Sequence, residues 1–210
     1  MTSTIFWDVD TQHDFMDPDG KLYVPGAEAI VPVLGQLTRY AHAHGIRVLA
    51  SADDHVPGHR ELSDTPDWTT TFPPHCMRTT PGQRKIEATA LRDPLVIEPE
   101  PDPGIVDRVR AHAGDLLFHK HWFDVFTNPN LRPVLDLLRP RRIVLYGVAT
   151  DVCDKYAIDG LLEHAPQAEL DFVVDAARAI HPEAVDDLLE GWRRRGVRMV
   201  TAAEILAGGA

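Results

Sequence analysis

Cysteine is nearly absent. Only Cys76 and Cys153 occur in the 210 residues, too few for a disulfide framework, so each reads as a metal neighbour, a nucleophile or core filler. Long apolar runs are missing as well. No stretch approaches the roughly 20 apolar residues of a spanning helix, and the start MTSTIFWDVD lacks a basic region followed by an apolar core. The expectation is a cytoplasmic protein without a membrane partner. Positive charge is in deficit: 21 Lys plus Arg against 32 Asp plus Glu leave −11, a balance that repels phosphate backbones and argues against nucleic acid as a partner. Internal repeats and low-complexity tracts are lacking too. What remains is ordinary, with 44% hydrophobic and 25% charged residues, and the length suits one well-buried core, read as a single domain over 1–210.

Short apolar runs recur at Thr4 to Val9, Arg47 to Ala52, Asp115 to Phe118, Arg142 to Gly147, Leu170 to Val174 and Val197 to Val200, and they read as buried strands. Helical patterns lie between most of them: Ala27 to His44, Pro103 to Ala113, Asn130 to Leu138, Thr150 to His164 and Pro182 to Arg195. The alternation predicts an α/β fold, a three-layer α/β/α sandwich around a mainly parallel, Rossmann-like sheet. Residues 53–103 break the pattern. They are rich in Pro, His, Asp and Thr, and so long a connection is functional or disordered, the histidines favouring function. Its end, Glu98 to Pro103, reads as a stiff proline connector. The basic runs Arg139 to Arg142 and Arg193 to Arg195 read as solvated helix ends or oligomer contacts.

Open parallel sheets bind ligands beyond the carboxyl ends of their strands. The first strand ends in Asp10, the second in Asp53-Asp54-His55, the third in His119-Lys120-His121, and the fourth leads through Gly147-Val148-Ala149-Thr150-Asp151-Val152 to Cys153. Cys153 falls in the first turn of a predicted helix, where free N–H groups and the positive dipole end favour a thiolate and can receive an oxyanion. Taken singly, each has a plain alternative: Cys153 as a small buried hydrophobe, Lys120 as a surface cation, Asp10 as a cap. Their convergence on one sheet edge is what carries the reading. In the long loop, Asp53-x-His55 on an extended segment points both side chains one way, and His59 or His75 could complete a set suited to zinc, iron or manganese. Ordinary loop polars remain the alternative.

These motifs resemble the isochorismatase-like cysteine hydrolases, and within them the nicotinamidase/pyrazinamidase branch. Asp10-Thr11-Gln12-His13-Asp14-Phe15 is similar to the family's D-x-Q-x-D-F opening, Lys120 stands where the family places its lysine, and Gly147 to Cys153 matches G-[IV]-A-T-[DE]-x-C. Asp53-x-His55, Thr65-Pro66-Asp67 and Pro73-Pro74-His75-Cys76 resemble the metal loop of the branch. The resemblance implies Asp10, Lys120 and Cys153 as the catalytic set, with Val148-Ala149 as a cis peptide and the N–H groups of Ala149 and Cys153 as the oxyanion site. It also implies Asp53, His55 and His75 as ligands of a divalent metal, zinc first and iron or manganese next, with His59 a fourth ligand or outer-sphere group and Asp54 outside the set.

The implied activity is that of a cysteine amidohydrolase of linear amides, hydrolysing a small cyclic or aromatic primary amide, nicotinamide foremost, through a Cys153 thioester. In the branch the metal orients the ring nitrogen of the substrate. A role in NAD metabolism and a homo-oligomeric state follow by the same resemblance. The chain departs from the branch after Lys120, where His121-Trp122-Phe123-Asp124-Val125-Phe126 replaces a glycine and a polar, tyrosine-containing stretch. Phe15, Trp68, Phe72, Phe123 and Tyr156 are the candidate aromatic wall. Hydrolysis of another C–N bond or of isochorismate, and a silent binding protein of the same fold, are the competing readings.

Overall fold

A computed structural model describes residues 4–209. Seven strands form one sheet: β1 (Thr4–Val9), β2 (Arg47–Asp53), β3 (Leu95–Ile97), β4 (Leu116–Lys120), β5 (Arg142–Val148), β6 (Glu169–Arg178) and β7 (Arg198–Val200). Their order is β3-β4-β2-β1-β5-β6-β7 and every pairing is parallel. Parallel strands need crossovers, and here helices supply most of them: α1 (His13–Met16), α2 (Ala27–Ala43), α3 (Ile105–Ala111), α4 (Leu131–Leu138), α5 (Cys153–His164) and α6 (Val185–Arg194).

Because both faces are covered, the central strands are apolar almost throughout, and the core divides in two. On one face α2 contributes Ile30, Leu34, Leu37 and Ala41, a stripe at helical spacing, against Phe6, Val48 and Val144. On the other, Ala157, Ile158 and Leu161 of α5 join Trp7, Leu49, Phe118 and Leu145. Among the described residues no helix is long and apolar enough to cross a membrane.

The long connection is more ordered than its composition implies. Isolated bridges His55↔Met77, Leu62↔Phe72 and Gln12↔Lys85 pin it to itself and to the start of α1. It also contains β3, three residues too short to show any period, added beside β4. Of the basic runs, Arg139 caps α4 and Arg193 to Arg195 end α6 as expected, whereas Arg142 departs from a helix end. Arg142 opens β5, and its guanidinium, with that of Arg198, flanks the buried Asp171, each at 2.5 Å. Arg195 closes α6 and pairs with Asp159 of α5.

β1 lies between β2 and β5, so successive strands run outward from it in opposite directions. This is the switch point where an open parallel sheet leaves a crevice beyond its carboxyl edge. Four neighbouring strands, β4, β2, β1 and β5, end there, with Asp53 in register with Lys120 and Val9 paired to both Ser51 and Gly147. Strand spacing of about 4.8 Å therefore brings their terminal side chains within reach of one another.

Candidate active site

Lys120 is the centre of the site. Its side chain is fully buried, and Nζ lies 3.0 Å from Asp10 Oδ2, ion-paired with Asp53 Oδ1 and 3.7 Å from Cys153 Sγ. Burial alone would push the lysine down, but Asp10, Asp53 and Cys153 hold it well above its ordinary value, so it is a permanent cation. Asp10 follows β1 in a left-handed conformation with φ 49°. Its Oδ1 accepts from Ser51 Oγ at 2.6 Å, and burial pushes the carboxyl above its usual range despite Lys120. A buried acid of raised proton affinity, close enough to the thiol for the two groups to shift one another, is suited to accept the proton of Cys153.

Cys153 is the first residue of α5, which begins three residues later than the pattern predicts. The preceding turn is closed by Val152 N–H and Asp154 N–H donating to the Ala149 carbonyl at 3.0 and 3.1 Å, which leaves the N–H of Cys153 outside those bonds. The Val148-Ala149 peptide is cis. Gly147, at φ 135°, approaches β1 so closely that a Cβ would lie 2.1 Å from the Val9 carbonyl oxygen, so only glycine fits this turn. The expectation that helix placement alone yields a thiolate is corrected here. Burial pushes the Cys153 thiol well above its ordinary value, with Lys120 opposing, so the turn by itself does not favour the thiolate.

A second cluster adjoins the first through Asp53. While Oδ1 of Asp53 faces Lys120, Oδ2 lies 3.9 Å from His55 Nε2 and 3.5 Å from His75 Nε2, and His75 Nε2 lies 3.6 Å from Glu61 Oε1. All four residues are buried, with ligand atoms within 4.8 Å of one another. Asp53 Oδ2, His55 Nε2, Glu61 Oε2 and His75 Nε2 are each buried without a hydrogen-bond partner. Four orphaned polar atoms on residues clustered this closely are costly unless a cation satisfies them. Tetrahedral zinc with bonds near 2.0–2.1 Å sets its ligand atoms about 3.3 Å apart, close to the spacings seen. The N2O2 set, with two carboxylates, suits a divalent ion such as zinc, iron or manganese.

Protonation supports the same fit. Although burial opposes it, Lys120 and the two histidines hold Asp53 far below the carboxylate range, so it is anionic. Burial lowers His55 to about 4, leaving a neutral imidazole. Glu61, raised by burial and by Asp53 to about 7, is the member whose proton a cation would displace. His75 is oriented by its own backbone: Nδ1 lies 2.7 Å from the Pro73 carbonyl, which can only accept, so Nδ1 carries a proton. Although burial opposes it, Asp53 and Glu61 hold the imidazole above its ordinary value, so a cation at Nε2 would displace a second proton there.

Glu61 is the residue that sequence reasoning missed. A lone carboxylate in a polar loop carries no motif, and only the fold folds it back onto Asp53. Of the two places open to His59, fourth ligand or outer-sphere group, it takes the outer one, outside the four and beside His55. Asp54 is bound by Arg78 and by Gln83, away from the cluster.

The other residues of the opening motif serve as braces. Gln12 exchanges two hydrogen bonds with the Asp53 backbone, at 2.7 and 2.8 Å, fixing the carboxylate that joins the clusters. Asp14 Oδ2 accepts from Cys76 N–H at 2.6 Å, beside His75. Gly82 packs on that carboxylate, where a Cβ would lie 2.2 Å from Asp14 Oδ1. Cys76 is an inert core thiol, its pKa pushed well up by burial.

A cavity with about 310 Å³ of empty space, mouth included, opens above the two clusters. Phe15, Val24, Phe72, Val152 and Ile180 wall it, and Asp53, Glu61 and Cys153 face it. Three of the expected wall residues are elsewhere. Trp68 is 55% exposed, at the tip of a turn that Asp67 caps by accepting from Thr69, Thr70 and Thr71 N–H. Phe123 packs on Tyr156 at 4.8 Å between ring centroids, and Tyr156 lines a different groove with Phe126 and Arg132. Spacing from the motifs could not tell which side of β4 and α5 these rings would take.

One neighbour of Cys153 has no hydrogen-bond partner among the described residues. Asp154 is fully buried with both carboxylate oxygens unsatisfied, and burial, then Asp10, raise it well above the ordinary 3.8. The folded chain keeps a proton the unfolded chain releases, so stability present below pH 3.8 is lost as pH rises toward the folded value. Asp154→Asn does not titrate. Its melting temperature is expected to exceed that of the wild type by a margin that grows between pH 4 and pH 8; a margin constant with pH would show that Asp154 is not held protonated.

The family model for the isochorismatase domain matches residues 5–204. A nicotinamidase/pyrazinamidase of Mycobacterium tuberculosis is 26% identical over 202 residues, covering 93% of this chain and 97% of its own. Among solved structures, the pyrazinamidase of Pyrococcus horikoshii in complex with zinc superposes with a TM-score of 0.76 at 24% identity, over 95% of this chain and 99% of that one. An N-carbamoylsarcosine amidase from Thermoplasma acidophilum gives a TM-score of 0.70 at 20% identity, over 95% and 96%. At these identities the two structural likenesses speak to the fold.

Proposed function

Because this chain belongs to the isochorismatase family, we propose that it is a cysteine amidohydrolase that converts a small ring carboxamide, nicotinamide foremost, to the carboxylic acid and ammonia. The observation that carries the reading is the bridging by Lys120 of Asp10, Asp53 and Cys153, which ties a nucleophile, its base and a cation-type cluster to one apolar cavity. Apolar walls over a charged floor suit a small ring bearing one polar group. The similarity to a nicotinamidase/pyrazinamidase points to the same class of substrate.

In this reading Asp10 takes the Cys153 proton, and Lys120 stabilises the negative charge left on sulfur. The thiolate attacks the carboxamide carbon, forming a C–S bond while the carbonyl electrons move to oxygen. The N–H groups of Ala149 and Cys153 receive that oxyanion, a kind of contribution worth about 3 kcal/mol per donor. Asp10 returns the proton to the amide nitrogen, the C–N bond breaks and ammonia leaves. A thioester remains. Asp10 then removes a proton from water, hydroxide adds to the thioester carbon, and the C–S bond breaks to give the acid and the thiol. A divalent cation held by Asp53, His55, Glu61 and His75 would supply Lewis acidity beside this centre, available to hold a ring nitrogen.

Ammonia release measured across nicotinamide, pyrazinamide and non-aromatic amides tests the assignment. Turnover of the ring carboxamides is expected, and release from N-carbamoyl compounds alone would move the assignment to another C–N bond. Removing metal with a chelator should depress turnover of nicotinamide, and Zn2+, Fe2+ or Mn2+ should restore it. His55→Ala is expected to lower the metal-to-protein ratio read by elemental analysis; an unchanged ratio would remove His55 from the site.

A further inference from the structure

We propose that His59 is a positioning residue for the metal centre, fixing the tautomer and orientation of His55. The inference rests on the four-residue cluster as a cation site and not on the identity of the amide.

A histidine can ligate through Nε2 only if that nitrogen carries no proton, so its other nitrogen must carry one and needs an acceptor. For His75 the acceptor is the Pro73 carbonyl. Among the described residues no backbone carbonyl plays this part for His55, whose Nδ1 lies 3.2 Å from Nδ1 of His59. Two facing imidazole nitrogens leave open which is the donor. A backbone amide resolves it. Val56 N–H points at the same Nδ1 of His59, at 3.4 Å, and an N–H can only donate. His59 Nδ1 is therefore the acceptor and His59 carries its proton on Nε2. His55 Nδ1 is then the donor, and His55 Nε2 is bare on the side where it meets Asp53 Oδ2, buried and unpartnered. A single backbone amide thus sets two tautomers in series and aims a lone pair into the cluster.

The segment that departs from the branch after Lys120 supplies the support. The His121 ring lies against His59 at 4.2 Å between centroids, tilted by 38°. Beside it the Arg60 guanidinium sits 3.9 Å above the Trp122 ring, a cation–π contact. Residues 59 and 60 are therefore held by residues 121 and 122, at two consecutive positions. Glu61, the next residue, enters the cluster. His121 and Trp122, in the stretch where the chain departs from the branch, clamp the loop that presents His55 and Glu61.

Two variants separate the hydrogen bond from the packing. His59→Phe keeps a ring against His121 but removes the acceptor, whereas His59→Asn restores an acceptor near the position of Nδ1. Zn2+ affinity, measured on metal-free protein by competition with a chromophoric chelator, is expected to fall about 10–100-fold in His59→Phe and to stay close to wild type in His59→Asn. Equal affinities for wild type and His59→Phe would overturn the proposal, as would an equal loss in both variants. A third measurement needs no variant: ring-nitrogen NMR of the metal-free wild type should show His55 protonated on Nδ1 and bare on Nε2. The opposite tautomer overturns the proposal. Absence of Zn2+ binding by the wild type would remove the cation site itself, whatever the amidase assay shows.

Discussion

Cys153→Ala is expected to lower the turnover of any amide substrate by on the order of 10⁴-fold or more while leaving the fold intact. The magnitude follows from the division of labour. Asp10 and Lys120 act on a proton and a charge that exist only if sulfur is present, so removing the nucleophile silences the set as a unit rather than by one increment. The fold should survive because the change deletes only a sulfur atom at the first residue of α5, where the thiol faces the cavity. Ammonia release and a thermal melt on the same preparation check both halves. Activity near the wild-type level would remove Cys153 from the chemistry, and a collapsed melt would show that its role is packing.

Lys120→Met should be the more damaging substitution, because it removes both activity and stability. Methionine fills a similar volume, but Asp10 and Asp53 would remain fully buried without their shared cation. Stranding a buried charge by removing its partner costs about 3–5 kcal/mol, which in a chain of this size corresponds to a fall in melting temperature on the order of 10 °C. Adding Asp10→Asn should then recover part of the lost stability, because one of the stranded carboxylates is gone. Failure of the double variant to recover would mean that the loss comes from packing and not from charge.

The alternation of apolar runs and helical patterns was sufficient to place six of the strands, because buried parallel strands are apolar on both faces and therefore conspicuous. It was blind to β3, a three-residue edge strand with Val96 exposed, since so short a segment has no period. The acid, lysine, cysteine and Asp53-x-His55 were legible for a related reason. Each stands at the end of a conspicuous strand or the start of a conspicuous helix, and the register of a parallel sheet then brings them together.

Residues 53–103 offered no such frame. Glu61 and His59 are two positions apart in a loop without periodicity, and nothing local distinguishes the one that enters the buried cluster from the one that stays outside it. Burial and the orphaned atoms of the cluster separate them. The aromatic wall divided in the same way: Phe15 and Phe72 face the cavity, but Trp68, Phe123 and Tyr156 turn elsewhere, because the direction of a side chain beyond a strand end depends on loop path and packing.

The sequence by itself determined the sheet, the helices that cover it and the chemical groups that reach its carboxyl edge, since these follow from hydrophobic period and strand ends. Tertiary structure alone decided that Lys120 joins two carboxylates and a thiol and that Asp53 serves both clusters. It also decided that Glu61 joins Asp53, His55 and His75 in one buried cluster. Most of those contacts join groups far apart in the chain, and their distances are set by burial and by the long-range hydrogen bonds of Gln12 and Asp14 rather than by any local pattern.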